Sequence, residues 1–318
     1  MGERKRWVLP LRILASVAML ALLLPRIHLS SLFPTWNTRT AVLLLAALGL
    51  TLLGIVMSAL RWRQVLSALG LRARLRTLFG HYLAGQFVGN FLPSTIGGDV
   101  LRITRLSASN GDRPDSFASV VLERLTGWFV LPLITLGAMA VNPGLRELGA
   151  ASAVAVGISV VTLVLLSLIV VVAASPRFGG RLAQRAGWQR FVGAVHLGLD
   201  RFRRHPSRAA SVLAAGLAYQ LVVVAGVFLA SRALGLHVGV TAVLAFVPAV
   251  AIAQVLPISL GGLGVREGAF VLFLHPLGVS PGRAVALGLL VYGLNLVVSL
   301  LGAPAFAVGS RSRPRALV

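Results

Sequence analysis

Acidic side chains are scarce in this chain, and three of them stand beside arginines inside apolar sequence. The chain has 318 residues, of which eight are acidic and 30 are basic. Asp99, Glu123 and Glu267 fall in or at the apolar segments, whereas the other five lie outside them. Because a charge buried in a bilayer is expensive, such acids are functional candidates by default. Their nearest basic neighbours along the chain are Arg102, Arg124 and Arg266.

Each of these side chains also has a plainer structural explanation. Asp99 could cap a helix, and Glu123 could pair with an arginine at the cytoplasmic interface. Arg102 could simply mark the cytoplasmic side of the membrane, and Glu267 could do no more than neutralise Arg266. Uncharged polar residues in apolar segments more often join helices than bind ligands. This last group contains Gln86, Asn90, Tyr219, Gln254, Tyr292 and Asn295.

Two stretches repeat the same pattern of proline, paired glycine and arginine. "NFLPSTIGGDVLR" covers residues 90–102 and "VLPISLGGLGVR" covers residues 255–266. At an offset of 164 residues they align without a gap, with Asn90 on Gln254 and Arg102 on Arg266. The pattern predicts that both segments are broken helices. The breaking residues are Pro93, Gly97 and Gly98 in the first stretch and Pro257, Gly261, Gly262 and Gly264 in the second.

A helix broken inside a membrane needs polar surroundings, because its freed backbone groups must be satisfied. Glycines allow close backbone approach, and the amides of a half-helix that starts there favour an anion. Guanidinium groups bind phosphate through two parallel hydrogen bonds. We therefore expect Arg102 and Arg266 to contact a phosphate group from opposite sides of the membrane, balanced by Asp99, Glu123 and Glu267. Further candidate contacts are Arg124, Asn90 and Gln254.

The composition predicts an all-α polytopic membrane protein. Hydrophobic residues make up 57% of the chain and charged residues 12%, and apolar runs of about twenty residues, enough to cross a bilayer, recur along it. The net charge of +22 would suggest nucleic acid in a soluble protein, but the arginines collect between the apolar runs, as in cytoplasmic loops. Six spans are predicted, at about 8–24, 41–60, 117–141, 150–174, 208–231 and 283–307.

Loop charge predicts how the two broken segments sit in the membrane. Segments 61–76 and 102–113 are both rich in arginine, so residues 80–98 must enter and return on the cytoplasmic side. The same argument makes 240–275 a re-entrant hairpin from the opposite face. Residues 1–149 and 150–318 then hold three spans and one hairpin each, which makes the second half an inverted repeat of the first. Alternatively, both stretches are ordinary kinked helices.

The linker between the halves, residues 175–208, has apolar residues at helical spacing among arginines. It predicts an amphipathic helix on the cytoplasmic leaflet, or else a helix packed on a partner protein. We expect the first helix to be retained and both termini to be cytoplasmic. An arginine-rich basic set with Lys5 as the lone lysine suggests a GC-rich bacterial genome. We expect the protein in the inner membrane of the cell. Cysteine is absent and the histidines are scattered, so neither a metal nor a cofactor is expected.

The motifs also resemble a known family. "NFLPSTIGGDVLR", "VVLERLTGWFVL" and "VLPISLGGLGVREGAF" followed by "GVSPGRAVALGLL" are similar to the lysylphosphatidylglycerol synthase transmembrane family, also called flippase-like. The resemblance covers about residues 10–305. It implies two re-entrant helices and a role in moving lipids across the bilayer. The positions that match the family's motifs are Asn90, Pro93, Gly97, Gly98, Asp99, Arg102, Glu123, Arg124, Pro257, Gly261, Gly262, Gly264, Arg266 and Glu267.

The resemblance also sets expectations about activity. Asp99 stands where the first motif often has Glu. Bifunctional members carry a soluble aminoacyl-transferase domain after the membrane region, and this chain ends at Val318, so we expect no synthesis of lysyl-lipid. We expect a non-enzymatic flippase or scramblase for an anionic phospholipid or a polyprenyl-phosphate-linked lipid. The alternatives are a membrane partner of lipid-synthesis enzymes, acting through 175–208, and a membrane glycosyltransferase. The expected partners are an anionic lipid headgroup and, in addition, either a second copy of the chain or a lipid-synthesis enzyme.

Overall fold

The computed structural model describes residues 36–91, 97–110, 113–175, 188–255 and 261–309. Within these ranges every regular element is helical, as the composition predicts. Eleven α-helices and two short 3₁₀ turns are described. The α-helices are α1 (Thr38–Ala68), α2 (Leu75–Phe91), α3 (Gly97–Asn110), α4 (Arg113–Val141), α5 (Ala150–Ala174), α6 (Trp188–Arg204), α7 (Pro206–Ala233), α8 (Val240–Ala253), α9 (Val265–Leu274), α10 (Pro281–Leu300) and α11 (Gly302–Gly309).

Five of these helices are long and apolar enough to cross a membrane: α1, α4, α5, α7 and α10. They confirm five of the six predicted spans, and the sixth, at 8–24, lies outside the described residues. Two boundaries differ from the prediction. Helix α1 continues to Ala68 because neither proline nor glycine follows Gly54 until Gly70. The last span ends at Leu300 and not at 307, because Pro304 cannot donate to the Leu300 carbonyl and its ring crowds that group.

Each predicted broken segment consists of two short helices packed on one another. Helix α2 packs on α3 in the first segment, and α8 packs on α9 in the second. Pro93 and Pro257 lie outside the described residues, so the breaks are seen from their flanks, and the re-entrant course stays a prediction. The contact between α2 and α3 requires glycine, because a Cβ on Gly98 would collide with the carbonyl oxygen of Gly85.

Helix α2 has a second close neighbour, the short C-terminal helix α11. A Cβ on Gly302 would collide with the carbonyl oxygen of Leu83, so these two backbones also touch. Arg105 of α3 reaches the same helix, donating from Nη1 to the Ala305 carbonyl and from Nη2 to the Phe306 carbonyl, each at 2.9 Å. Helices α2, α3 and α11 therefore form one closely packed unit.

Two related halves would place equivalent helices in equivalent contacts, and several of the observed contacts have this form. Helix α1 packs along α7, and these are the two spans matched by the 164-residue offset. Helix α4 packs on α8 of the second broken segment, just as α10 and α11 pack on α2 of the first. The duplication itself stays a prediction.

Helix α6 occupies part of the predicted amphipathic linker. Its Val195 is fully buried in a cluster with Leu122 of α4 and Val65 of α1, and His196 Nδ1 lies 2.6 Å from the Ala173 carbonyl of α5. This part of the apolar face is therefore covered by the protein's own helices rather than by lipid. The cytoplasmic position of the linker stays a prediction.

Candidate functional site

A carboxylate shared by two arginines lies inside the helix bundle. Glu123 of α4 is 1% exposed, and its Oε1 accepts a hydrogen bond from Arg61 Nε at 3.1 Å while Arg61 Nη2 contacts the same oxygen. Its Oε2 accepts from Arg102 Nη1 at 3.3 Å and from Arg102 Nη2 at 3.2 Å. Glu123 thus joins α1, α3 and α4 through one ion cluster. A buried charge of this kind is tolerated only when it is paired in this way.

Aromatic rings cover the two guanidinium groups. The Arg102 guanidinium lies 4.2 Å from the ring centroids of both Trp62 and Tyr82, and that of Arg61 lies 5.0 Å from the ring of Tyr219. Cation–π attraction replaces part of the hydration that burial removes. The rings therefore help to hold the two buried arginines in place.

Asp99 connects this cluster to a more accessible arginine. It lies in the first turn of α3, where a negative charge is favoured by the helix dipole. Its Oδ1 lies 3.5 Å from Arg102 Nη1, and its Oδ2 forms an ion pair with Arg124 Nε. The side chain of Arg124 is 45% exposed, so it offers a charge that a ligand can reach.

The second motif builds its own ion pair at the start of α9. Glu267 is fully buried, and its Oε2 accepts the Gly264 backbone N–H at 2.6 Å. Its Oε1 accepts from Arg266 Nη2 at 2.6 Å and Nε at 3.0 Å, and the Arg266 guanidinium lies 4.7 Å from the Tyr292 ring. The preceding turn needs glycine, because Gly261, Gly262 and Gly264 have φ values of +60°, +77° and +83°.

The two motifs meet at a polar cavity. A space of about 320 Å³ is lined by Asp99, Arg102 and Asn90 of the first segment and by Gln254, Gly261 and Gly262 of the second. A second space of about 380 Å³ adjoins it and is lined by Arg61, Glu123 and Arg266, among others. Five residues line both spaces: Tyr82, Gln86, Arg124, Gln254 and Val255. We call the two spaces together the arginine cavity.

The arginine cavity carries excess positive charge. Four arginines and two acids line it, and Glu267 behind Arg266 leaves one positive charge in excess. In addition, Arg61 Nη1 and Arg102 Nε are buried without a hydrogen-bond partner in the described structure. A buried donor without a partner costs about 1–3 kcal/mol. The excess positive charge favours an anionic ligand in the cavity, whereas the two unpartnered donors are enclosed by protein.

The structure brings most of the predicted site residues together. Asp99, Arg102, Arg124, Asn90 and Gln254 line the 320 Å³ space, while Glu123 and Arg266 line the 380 Å³ space. Glu267 lines neither space, because its carboxylate points back to the Gly264 amide and to Arg266. It positions Arg266 rather than facing a ligand. Among the breaking glycines, Gly97 starts α3 and Gly98 lies against α2.

Two important residues were missed or misassigned. Arg61 was assigned to a cytoplasmic loop, yet it lies inside α1 and is 4% exposed. The sequence does indicate this position, because no proline or glycine occurs between Gly54 and Gly70. A helix can therefore continue through Arg61 beyond the apolar run. Tyr82 had no charged neighbour in the sequence to mark it, although its ring covers Arg102 and lines both parts of the cavity. Among the described residues, no group of three or more histidines and acids is placed to hold a metal ion.

These features define an all-α, multi-pass membrane protein with a charged cavity between two interrupted helical segments. Comparison with known families agrees: the lysylphosphatidylglycerol synthase transmembrane region matches residues 9–302. The chain therefore belongs to this family, and the membership assigns it a lipid-related role in a membrane. No curated protein matches the chain in a direct sequence comparison.

Proposed function

We propose that this protein moves an anionic lipid, either a phospholipid or a polyprenyl-phosphate-linked lipid, between the two leaflets without catalysing a reaction. The observation that supports the proposal is the arginine cavity, which both interrupted segments line inside an otherwise apolar bundle. A lipid headgroup needs such a polar path through hydrocarbon. The excess positive charge favours a phosphate over a neutral headgroup.

Arg124 is the first contact in the proposed path. It is the most exposed arginine of the ion cluster and lines both parts of the cavity. A phosphate that binds Arg124 can displace Asp99 as its partner and meet the neighbouring donors of Arg102. From there the 380 Å³ space leads to Arg266 on the second segment. The acids keep the arginines paired whenever the cavity holds no headgroup.

The test is headgroup exposure in proteoliposomes. Fluorescent phosphatidylglycerol and polyprenyl-phosphate reporters are quenched from outside, next to a phosphate-free glucosylceramide reporter. Arg124→Gln is the diagnostic variant, since Arg124 is accessible and its loss leaves the Glu123 cluster in place. Arg63→Gln is the matched control, because Arg63 is an exposed arginine of α1 that does not line the cavity.

We expect wild type and Arg63→Gln to expose the inner-leaflet phosphate reporters and Arg124→Gln to slow this by about tenfold or more, the effect of losing one charged contact. The phosphate-free reporter should move no faster than in empty vesicles. If no phosphate reporter moves with wild type under any applied gradient, the transport proposal is wrong. In that case the partner hypothesis for the linker region would take its place.

A further inference from the structure

An apolar groove lies beside the arginine cavity. It has a volume of about 300 Å³ and runs between α4, α5 and α8. Along α5 it extends from Thr162 to Ile169, and on α8 it is bounded by Ile252. Apart from Thr162, every side chain that lines it is aliphatic or aromatic. The lining holds no charged side chain, and its polar groups are the Thr162 hydroxyl and the Trp128 indole N–H, so the groove suits a hydrocarbon chain.

The groove adjoins the charged cavity. Trp128 and Leu131 of α4, together with Val255 after α8, line both the groove and the 380 Å³ space that holds Arg61, Glu123 and Arg266. These three side chains form the boundary between a polar and an apolar compartment. Trp128 suits this place because its ring is largely apolar and its indole N–H can donate towards the polar side.

The outer wall of the groove is apolar and exposed on the surface of the bundle. Helix α5 is the most hydrophobic of the five spans, and only 17% of its most apolar window is buried within the protein. Thr162 lies at the middle of this 25-residue helix, and the groove extends from there towards the C-terminal half of α5. A chain lying there would stay in hydrocarbon surroundings while its headgroup occupied the cavity.

We propose that this groove holds an acyl or polyprenyl chain of the same lipid whose phosphate binds in the arginine cavity. The inference rests on the proposed function and adds that the protein recognises the tail as well as the headgroup. A soluble phosphate compound has no hydrocarbon chain to bind in the groove. The site therefore selects lipids over free anions by burying hydrocarbon next to the charge, since each buried methylene adds to affinity.

The first experiment fills the groove from α5. Leu165 lines the groove and is 54% exposed, whereas Leu168, three residues along the same helix, is 56% exposed and does not line it. Leu165→Trp and Leu168→Trp are therefore a matched pair that adds the same ring to the same lipid-facing helix. In the proteoliposome assay with phosphatidylglycerol, we expect Leu165→Trp to slow transport by about tenfold, corresponding to about two displaced methylenes. Leu168→Trp should stay within about twofold of wild type.

A second measurement on wild type guards against misfolding of the groove variant. Phosphatidylglycerol with a diazirine on its acyl chain is photolysed in the bilayer, and the labelled residues are mapped by mass spectrometry. We expect labels at Leu165, Ile169 and Ile252 to exceed the label at Leu168, and the excess to fall in Arg124→Gln.

The outcomes separate the two proposals. If wild type transports lipid and Leu165→Trp and Leu168→Trp have equal effects, the groove does not hold the lipid tail. The proposed headgroup path is not affected by that result. Labels spread evenly over the exposed face of α5 overturn the groove as well. Absence of transport in wild type refutes the proposed function itself, whatever the labelling pattern.

Discussion

Loss of the Glu123 charge should destabilise the structure strongly, because Glu123 pairs with two arginines. In Glu123→Gln the side chain keeps its size and can still accept a hydrogen bond, but the negative charge between Arg61 and Arg102 is gone. Both guanidinium groups remain buried, with 4% exposure each. Asp99 still partly compensates the charge of Arg102, from a distance of 3.5 Å. Arg61 has no other acidic partner in the ion cluster.

The size of the effect follows from the burial of the cluster. Removing one partner of a buried ion pair costs about 3–5 kcal/mol, because the remaining charge is left uncompensated. We expect the free energy of unfolding of Glu123→Gln to fall by this amount. Adding Arg61→Met, which removes one of the two orphaned charges, should recover about 1–3 kcal/mol, since residues in one network couple by such amounts.

The assay is reversible unfolding of the purified protein in mixed micelles, followed by helix content as the denaturing detergent is increased. Asp200→Asn provides the control, because it breaks an ion pair to Arg204 of 2.8 Å whose side chains are 48% and 70% exposed. An exposed pair of this kind contributes about 0–1 kcal/mol. A Glu123→Gln protein as stable as Asp200→Asn, or a double variant less stable than the single one, would show that Glu123 does not bridge the two arginines.

Three further outcomes test other parts of the structure in the same assay. Gly98→Ala should destabilise the protein by about 3 kcal/mol, the upper end for overpacking, because the added Cβ meets the Gly85 carbonyl. Gly89→Ala adds a Cβ in open space and should stabilise α2 by up to about 1 kcal/mol. Equal effects of the two substitutions would contradict the α2–α3 contact. Glu267→Gln should lower the free energy of unfolding by about 3–5 kcal/mol, and adding Arg266→Met should restore part of it. No recovery in the double variant would show that the two side chains are not paired with each other. Arg105→Gln should make the α11 region sensitive to limited proteolysis at a cost of about 1–2 kcal/mol, and unchanged cleavage would exclude its two bonds to the Ala305 and Phe306 carbonyls.

The spans and the fold class followed from simple features of the sequence. Apolar length locates α4, α5 and α7 to within a few residues, because a bilayer demands a helix of that length whatever its neighbours are. The polar motifs were also found in advance, since proline, paired glycine and charge are conspicuous inside apolar sequence. The predicted end of α1 is wrong because an arginine after an apolar run does not end a helix, since arginine is a good helix former.

The partners of the charges could not be read from adjacency. Glu123 and Arg124 are neighbours in sequence, yet Glu123 pairs with Arg61 and Arg102, and Arg124 pairs with Asp99. Successive residues of a helix point about 100° apart, so adjacent charges usually face different neighbours. Glu267 and Arg266 do pair, because the first turn of α9 lets the carboxylate fold back towards the helix start. Such choices depend on which helices pack together, and this requires the three-dimensional structure.

The close packing of α2 has a mechanical consequence. Its backbone touches α3 on one side and α11 on the other, and Arg105 ties those two outer helices to one another. Three helices joined in this way cannot slide past each other without losing the backbone contacts and the Arg105 hydrogen bonds together. They form a fixed frame that carries Asp99 and Arg102, so any change in the shape of the arginine cavity would have to come from movement of the other helices that line it.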